Sequence, residues 1–488
     1  FYRRAEKAAP QISLLSRVAV LVAGAICIGL CLFGIRGRMG YNPIKVSQAY
    51  YCEDPFLNQL GVNPVFNLLT STLDDNRKEN RTLHLMSEED ALSKVQKYLH
   101  RQGIDRLSPI ARKVEREGTP NRRNVVLVFM ESMSANLMGT FGSDKKLTPY
   151  LDSLYQQSLS FSHFYSSGIH TNHGIYSTLY SFPAIMKRNA MKGSVIPVYS
   201  GLPTVLQENG YCNLFFMTHE SQYDNMNAFL RTNGFDEIYA QENYPSEKVV
   251  NSFGVQDDFM YQYALPILNE RAGTGNPFFS VLLSISNHPP YVIPPYFHPH
   301  SDVLEEQIVE YADWSIRQFM QAAEKQPWFD NTIFVFLGDH GKMVGTPECE
   351  MPQSYNHIPL MIYGKDIKPG VYDGFGGQVD VSPTLLGLLN ISYLQNNFGV
   401  NLLEEERPCM FFTADNLIGA RDSVNMFIYS PDSQQEFKYK LEEGKLHAAT
   451  GTDEEAFRNL KDYCFSMLQS TESLVKEHKT LDKVSVKK

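Results

Sequence analysis

Tryptophan is nearly absent from this chain, with two residues in 488, and cysteine is sparse and unpatterned. The seven cysteines (Cys27, Cys31, Cys52, Cys212, Cys349, Cys409 and Cys464) contain no C-x-x-C pair, so a thiolate zinc site of that spacing is excluded. They read as buried or free thiols, with a Cys349–Cys409 disulfide left open. There is no basic tract. A net charge of −10 with no Lys/Arg cluster excludes a nucleic-acid-binding module. No internal repeat or low-complexity segment occurs, which argues against a solenoid. What is abundant is apolar and aromatic material: 43% hydrophobic residues, with 27 Tyr and 30 Phe. That suffices for a large core, and the length allows two or three domains.

Residues 18–35 form an unbroken apolar run, extended upstream by Ile12, Leu14 and Leu15. A spanning helix needs about 20 apolar residues. A signal peptide has a shorter apolar region and small residues at its end, whereas Arg36 and Arg38 follow here. The run reads as a transmembrane helix. Arg3, Arg4, Lys7 and Arg17 precede it and Arg36, Arg38 and Lys45 follow, so the positive-inside bias does not choose an orientation.

After a linker opening at Gly40–Pro43, residues 48–70 read as a mixed segment packing between membrane and enzyme. Ser87 followed by Glu88, Glu89 and Asp90 predicts a capped helix start. The charged stretch Arg112–Arg123 reads as a linker. From Asn124, short apolar runs (Val125–Phe129, Asn213–Met217, Phe278–Ile285, Ile333–Leu337, Leu360–Tyr363) alternate with helical patterns (Thr148–Leu159, Leu202–Asn209, Glu305–Lys325, Ser382–Leu389). Such alternation predicts an α/β fold with a mostly parallel central sheet flanked by helices. Past about 405, Met410–Thr413, Asn425–Tyr429 and Glu436–Leu441 alternate like antiparallel strands. A helix from Glu454 to about Lys476 and a basic tail follow. Trp314 and Trp328 read as packing residues. The predicted organisation is a membrane anchor over 1–39, a linker and helical segment over 40–123, a catalytic core over 124–404 and a smaller antiparallel subdomain with tail over 405–488.

Two of the apolar runs end on carboxylates. Asn124–Met130 is followed by Glu131, and Thr332–Gly338 by Asp339-His340. In open α/β sheets functional groups collect at the carboxyl ends of strands. Glu, Asp and His delivered to one edge make a hard-cation site with oxygen and imidazole ligands. Gly168-Ile-His-Thr-Asn-His-Gly174 adds a hydroxyl, Thr171, which coordination would activate as a nucleophile.

The ordered set Glu131, Thr171 and Asp339-His340 resembles the alkaline-phosphatase/sulfatase superfamily. Leu147–Asp152, Phe161–Tyr165, Ser286-Asn-His-Pro-Pro290 and Gln378–Thr384 belong to the same resemblance. Within the superfamily the chain is most similar to lipoteichoic acid synthase-type phosphoglycerol transferases. The resemblance covers roughly Asn124 to Asn390 and the anchor before it. It implies Glu131, Thr171, Asp339 and His340 as ligands of one divalent metal ion, Mn²⁺ first, with Zn²⁺ or Mg²⁺ as alternatives. It implies Thr171 as nucleophile and His288 as the residue that contacts phosphate or protonates the leaving group. His357, His173, Phe253, Asp257 and Arg231 are the implied substrate contacts, with His170 and Asn172 flanking the nucleophile. True sulfatases carry Cys or Ser in a Cys/Ser-x-Pro-x-Arg context. Thr171-Asn-His-Gly-Ile175 cannot mature that way, so the segment favours phosphoryl chemistry. Relatives place an aromatic and an Arg in the head-group segment. Here Phe253 is present, but Gln256 and Asp257 stand where a base is expected.

The expected function is therefore a membrane-anchored, metal-dependent phosphotransferase of the cell envelope. It would move a phosphoglycerol-like head group from a membrane phospholipid donor to an envelope lipid or glycan acceptor through a phospho-threonine. The alternatives are a phosphoethanolamine transferase, a sulfatase or phosphodiesterase hydrolase, and a non-catalytic envelope-polymer-binding pseudoenzyme. The resemblance also implies further membrane helices upstream of a chain that here begins with Phe, and a catalytic domain on the extracytoplasmic side of the cell membrane.

Overall fold

The computed structural model describes residues 13–482 apart from 40–42, 53–54, 78–79, 81, 105–106, 194–195, 443 and 450–453. Arg3, Arg4, Lys7 and the end of the basic tail lie outside the described residues. Four helices come first: α1 (Leu14–Arg36), α2 (Pro55–Leu60), α3 (Pro64–Asp75) and α4 (Glu88–Tyr98). Helix α1 is long and apolar enough to cross a membrane, and none of its residues is buried. It is capped by the Ser13 hydroxyl and by Gly37 in the left-handed region (φ 76°). Helix α4 starts as its acidic first turn predicts, with Ser87 Oγ accepting from Asp90 N at 3.1 Å.

The main body runs β1 (Arg112–Val114), β2 (Asn124–Met130), α5 (Pro149–Gln157), β3 (Leu159–Tyr165), α6 (Thr171–Tyr180) and α7 (Leu202–Glu208). It continues through β4 (Cys212–Met217), α8 (Met226–Thr232), β5 (Glu237–Tyr239), β6 (Val249–Asn251), β7 (Gly254–Val255), α9 (Asp257–Ala272) and β8 (Phe278–Leu283). Then come α10 (Leu304–Ala323), β9 (Thr332–Gly338), α11 (Gln353–Asn356), β10 (Leu360–Tyr363), β11 (Gly370–Gly377), α12 (Val381–Leu388) and β12 (Tyr393–Gln395). Five strands, β13 (Met410–Thr413), β14 (Ile418–Arg421), β15 (Asn425–Ser430), β16 (Gln435–Glu442) and β17 (Lys445–Ala448), form a separate antiparallel sheet before α13 (Glu454–Lys476).

The central sheet has eight strands in the order β11-β3-β10-β9-β2-β8-β4-β5. Strand β10 is antiparallel to both β9 and β3, and every other pairing is parallel, so β10 alone runs against the rest. The sequence does not show this reversal, because a four-residue apolar run buried on both faces looks the same in either direction. Along β2, Val125, Leu127 and Phe129 join one core, with α6, α7, α8, α12 and α13. Val126, Val128 and Met130 join a second core, with α5, α9 and α10. Helices on both faces thus explain why the strands read as continuous apolar runs.

Strand β1 corrects the expected linker: Arg112 pairs with Gln395 in register and holds Glu405 with two hydrogen bonds of 2.7 and 2.6 Å. The segment at 83–98 binds α13, through Leu83 N to Glu472, Leu85 N to Gln469 and an edge contact of Tyr98 with Tyr463. All seven cysteines are free, including Cys349 and Cys409. Trp328 is buried, with its indole N–H on Asn269.

One ion pair fastens the C-terminal part to the core. Asp380, at the start of α12, accepts from Arg407 Nε and Nη2 at 2.7 and 2.6 Å and from Val400 N and Gly377 N, and both side chains are buried. Removing one partner of a buried, hydrogen-bonded pair leaves the other charge uncompensated. Arg407→Ala should therefore destabilise the fold by about 3–5 kcal/mol, measured as the shift in the urea unfolding curve.

Candidate active site

Seven parallel-running strands present their carboxyl ends along one edge, and the site is assembled there. Strands β2 and β9 pair with Met130 opposite Gly338, so the next residues, Glu131 and Asp339, emerge side by side. Ser132 sits at positive φ (52°) and turns the chain away, with its N–H donating to Asp339 Oδ1 at 2.8 Å. His340 N donates to the same oxygen at 2.7 Å. Asp339 Oδ2 is left buried and without a partner. Ser132 Oγ donates to Glu131 Oε1 at 2.6 Å, and Thr171 Oγ1 stands 3.4 Å from Glu131 Oε2.

The His340 tautomer follows from its neighbours. Nδ1 faces the Gly341 carbonyl at 2.8 Å and must donate. Nε2 faces Glu131 at 3.7 Å and Asp339 at 3.5 Å. The ligand atoms of Glu131, Asp339 and His340 all lie within 4.8 Å of one another. Burial, and then the neighbouring Asp339, push the Glu131 carboxyl well above its usual range. Two buried carboxylates, one with an orphaned oxygen, beside an imidazole nitrogen and a hydroxyl fit a divalent cation of oxygen-preferring type.

Thr171 is the first residue of α6, where the helix end favours negative charge. This helix, which was not expected from the sequence, packs hard on the end of β9: a Cβ on Gly174 would fall 2.2 Å from the Asp339 carbonyl oxygen. Gln378 holds that carbonyl from below, donating to Asp339 O at 2.7 Å while its own oxygen accepts from Ser167 N. Asn287 braces the β2 end through Glu131 O at 3.0 Å and receives Lys342 Nζ at 2.6 Å. Burial lowers the Lys342 ammonium to about 8. Ser132, Gly174, Asn287 and Lys342 were not singled out from the sequence. Gly174 and Asn287 do fall inside recognisable motifs, one with Thr171 and one with His288.

The other sequence-predicted residues divide. His288 lies on the rim after β8, with Nδ1 on the Pro289 carbonyl at 2.6 Å and its ring 4.2 Å from that of Phe253. Burial is the main cause of its lowered pKa, and His340 adds to it. His170 binds Asp415 at 2.6 Å, and Asn172 binds Asp224 at 3.0 Å. His173 is buried beneath the Gly168 turn, held neutral by burial and by His170 and His340, with a pKa of about 3. His357 is stacked on Tyr165 and edged by Phe141, with Nε2 on the Ser162 carbonyl at 2.9 Å. These contacts tie its ring into the packing of β3. Asp257, buried at the start of α9, accepts from Ile285 N and Ser286 N, and so holds the His288 loop in place. Gln256 is likewise bonded to Val292 and Ser286. Arg231 donates to Asn227 on its own helix at 3.0 Å, and no described contact joins it to the cluster.

The sequence profile of the sulfatase family matches residues 123–391. The chain belongs to the sulfatase family. Its fold is similar to that of an alkaline phosphatase superfamily protein from Vibrio parahaemolyticus, with a TM-score of 0.73 and 25% identity over 81% of this chain and 97% of that one. The lipoteichoic acid synthase LtaP from Listeria monocytogenes shares the fold, with a TM-score of 0.63 and 21% identity over 79% of this chain and 98% of that one. Among curated proteins, the lipoteichoic acid synthase-like YvgJ of Bacillus subtilis is 25% identical over 362 residues, 67% of this chain and 56% of the relative. The chain spans about half the length of the curated relatives it matches. The matched sulfatase region includes Glu131, Thr171, His288, Asp339 and His340, whose chain order is that of the superfamily resemblance.

Gly174→Ala should force α6 off the β9 end and move Thr171 and Asp339 apart. Positions that support metal ligands typically change affinity 10–100-fold when altered. The expected result is Mn²⁺ affinity weakened by at least about tenfold in calorimetric titration, with an unchanged far-ultraviolet circular dichroism spectrum.

Proposed function

We propose that this sulfatase-family enzyme is a membrane-anchored phosphotransferase that passes a phosphoglycerol-like head group from a lipid donor to an envelope acceptor through Thr171. The observation that carries the reading is the Thr171 hydroxyl at the N-terminus of α6, facing Glu131 in a cluster of two buried carboxylates and an imidazole nitrogen. Threonine cannot be matured to the aldehyde that sulfate ester hydrolysis uses in this family, but its hydroxyl is a competent phosphoryl acceptor.

Glu131, Asp339, His340 and Thr171 would hold the divalent cation, with Mn²⁺ preferred. When bound, it lowers the pKa of the Thr171 hydroxyl and neutralises phosphoryl charge. The chain's own residues do the rest. Ser132 N and His340 N fix one oxygen of Asp339, so its other oxygen faces inward. The Gly341 carbonyl fixes the His340 tautomer. Thr171 Oγ attacks the phosphodiester phosphorus, the P–O bond to the lipid alcohol breaks, and a phospho-threonine diester remains. The neutral His288 ring takes the proton released from each attacking hydroxyl and returns it to each leaving alkoxide. A second alcohol then displaces Thr171 and regenerates the hydroxyl.

Helix α1 would keep the site beside lipid, with the catalytic domain on the extracytoplasmic face. Gln256 and Asp257 are taken up by the scaffold, so the segment that carries a base in relatives leaves the identity of the head group to other residues. No cystine framework of the kind expected for a phosphoethanolamine enzyme is present among the described residues.

Thr171→Ala should abolish turnover of a lipid phosphodiester while leaving the circular dichroism spectrum and most cation affinity intact, because three ligands remain. Turnover near that of the unaltered protein would rule out the covalent route. A chelator should likewise abolish activity, and Mn²⁺ should restore it better than Zn²⁺ or Mg²⁺; full activity in chelator would rule out the metal site.

A further inference from the structure

Helix α3 turns its apolar side outward. Val65, Leu68, Leu69 and Leu73 share one helical face, and each is 60–68% exposed. Phe66, Asn67, Thr70 and Ser71 form the half-buried inner side. A helix covering a water-soluble domain shows the reverse arrangement. A contiguous apolar stripe left outside marks contact with another apolar phase.

Two further features identify that phase. The carboxyl end of α1 is docked on the active-site rim: Arg38 donates to Glu220 at 2.6 Å. Asp224, four residues on, accepts from Asn172 beside the nucleophile. The chain turns back directly after α1, with Ile44 N on the Arg36 carbonyl at 2.9 Å, and Lys45 lies within electrostatic range of both Asp224 and Glu220. The exit of a span-length apolar helix and the nucleophile segment therefore meet at one loop. The inner side of α3 reaches the same rim. Ser71 lines a cavity of about 430 Å³ together with His170 and Asn172. Arg77, Lys187, Arg188 and Lys192 line it too; Asp224 is the one carboxylate among its described lining residues, and Asp415 reaches His170 and Lys187 from outside it. Cations at headgroup depth beside an apolar helical face are the composition of an interfacial anchor.

We propose that α3 lies along the surface of the bilayer crossed by α1, with Val65, Leu68, Leu69 and Leu73 sunk into the acyl-chain boundary, so that the basic cavity beside Thr171 opens among phosphate headgroups. Such helices bury their apolar face about 5–10 Å into the boundary. The inference rests on the membrane-anchored reading above but not on the transfer chemistry.

The scarcity of tryptophan provides the test. Trp314 and Trp328 both belong to the body and give a constant background. The full chain carrying Leu69→Trp is reconstituted in phosphatidylcholine–phosphatidylglycerol vesicles with acyl chains brominated in their upper half. A matched Val424→Trp, on the exposed turn between β14 and β15, is the reference. The emission added by Leu69→Trp should be blue-shifted and should lose intensity in brominated relative to plain vesicles, while that added by Val424→Trp should not change. Unquenched emission from Leu69→Trp in protein that floats with the vesicles overturns the placement of α3 alone. Protein that fails to float with the vesicles overturns the membrane anchor as well. Both positions are exposed, so matching circular dichroism spectra are expected for the two variants.

Discussion

Two carboxylates buried side by side at the ends of adjacent strands are the constraint on which the rest of this structure depends. Glu131 and Asp339 are both almost fully buried, and parallel register between β2 and β9 leaves them no freedom to separate. Like charges in a low-dielectric setting repel, and desolvation adds to the cost. The surroundings answer only part of it. One oxygen of Asp339 takes two amide donors, and one oxygen of Glu131 takes the Ser132 hydroxyl. The oxygens left over face His340 Nε2 and the Thr171 hydroxyl. These carboxylates and the imidazole nitrogen together offer ligand atoms suited to a divalent cation.

The same constraint explains supports that look unrelated. Gly174 must lack a side chain because α6 has to reach the Asp339 carbonyl. Gln378, Asn287 and Asp257 are buried polar groups spent on backbone amides and carbonyls next to the reactive residues, which keeps the strand ends and the His288 loop in fixed positions. Rigidity of this kind serves the in-line attack on phosphorus proposed for Thr171. The cavity beyond Thr171, lined by Arg77, Lys187, Arg188 and Lys192, carries charge of the sign that attracts anionic groups.

Much of this was legible in the sequence, for a physical reason. Strands buried on both faces read as apolar runs, and β2, β4, β8 and β9 were visible as such. The carboxylates that end β2 and β9 are conspicuous because charge interrupts an apolar run. The direction of β10 was not legible, since period-2 burial is blind to polarity. Helices α6 and α9 were missed because their first residues read as loop motifs, and α9 has no one-sided apolar stripe. Asp257 stands in the expected head-group segment, but its carboxylate is tied to the Ile285 and Ser286 amides, partners the sequence does not reveal. Arg112 was read as linker because its partner, Glu405, lies nearly three hundred residues away.

The covalent route proposed for Thr171 is open to one direct measurement. The full chain is incubated with lipid donor, quenched in acid, digested, and the peptide containing Thr171 weighed by mass spectrometry. The account predicts a mass increment on Thr171 equal to the transferred phosphoryl head group, present with Mn²⁺ and absent with chelator. An unmodified Thr171 under conditions where donor is being consumed would contradict it.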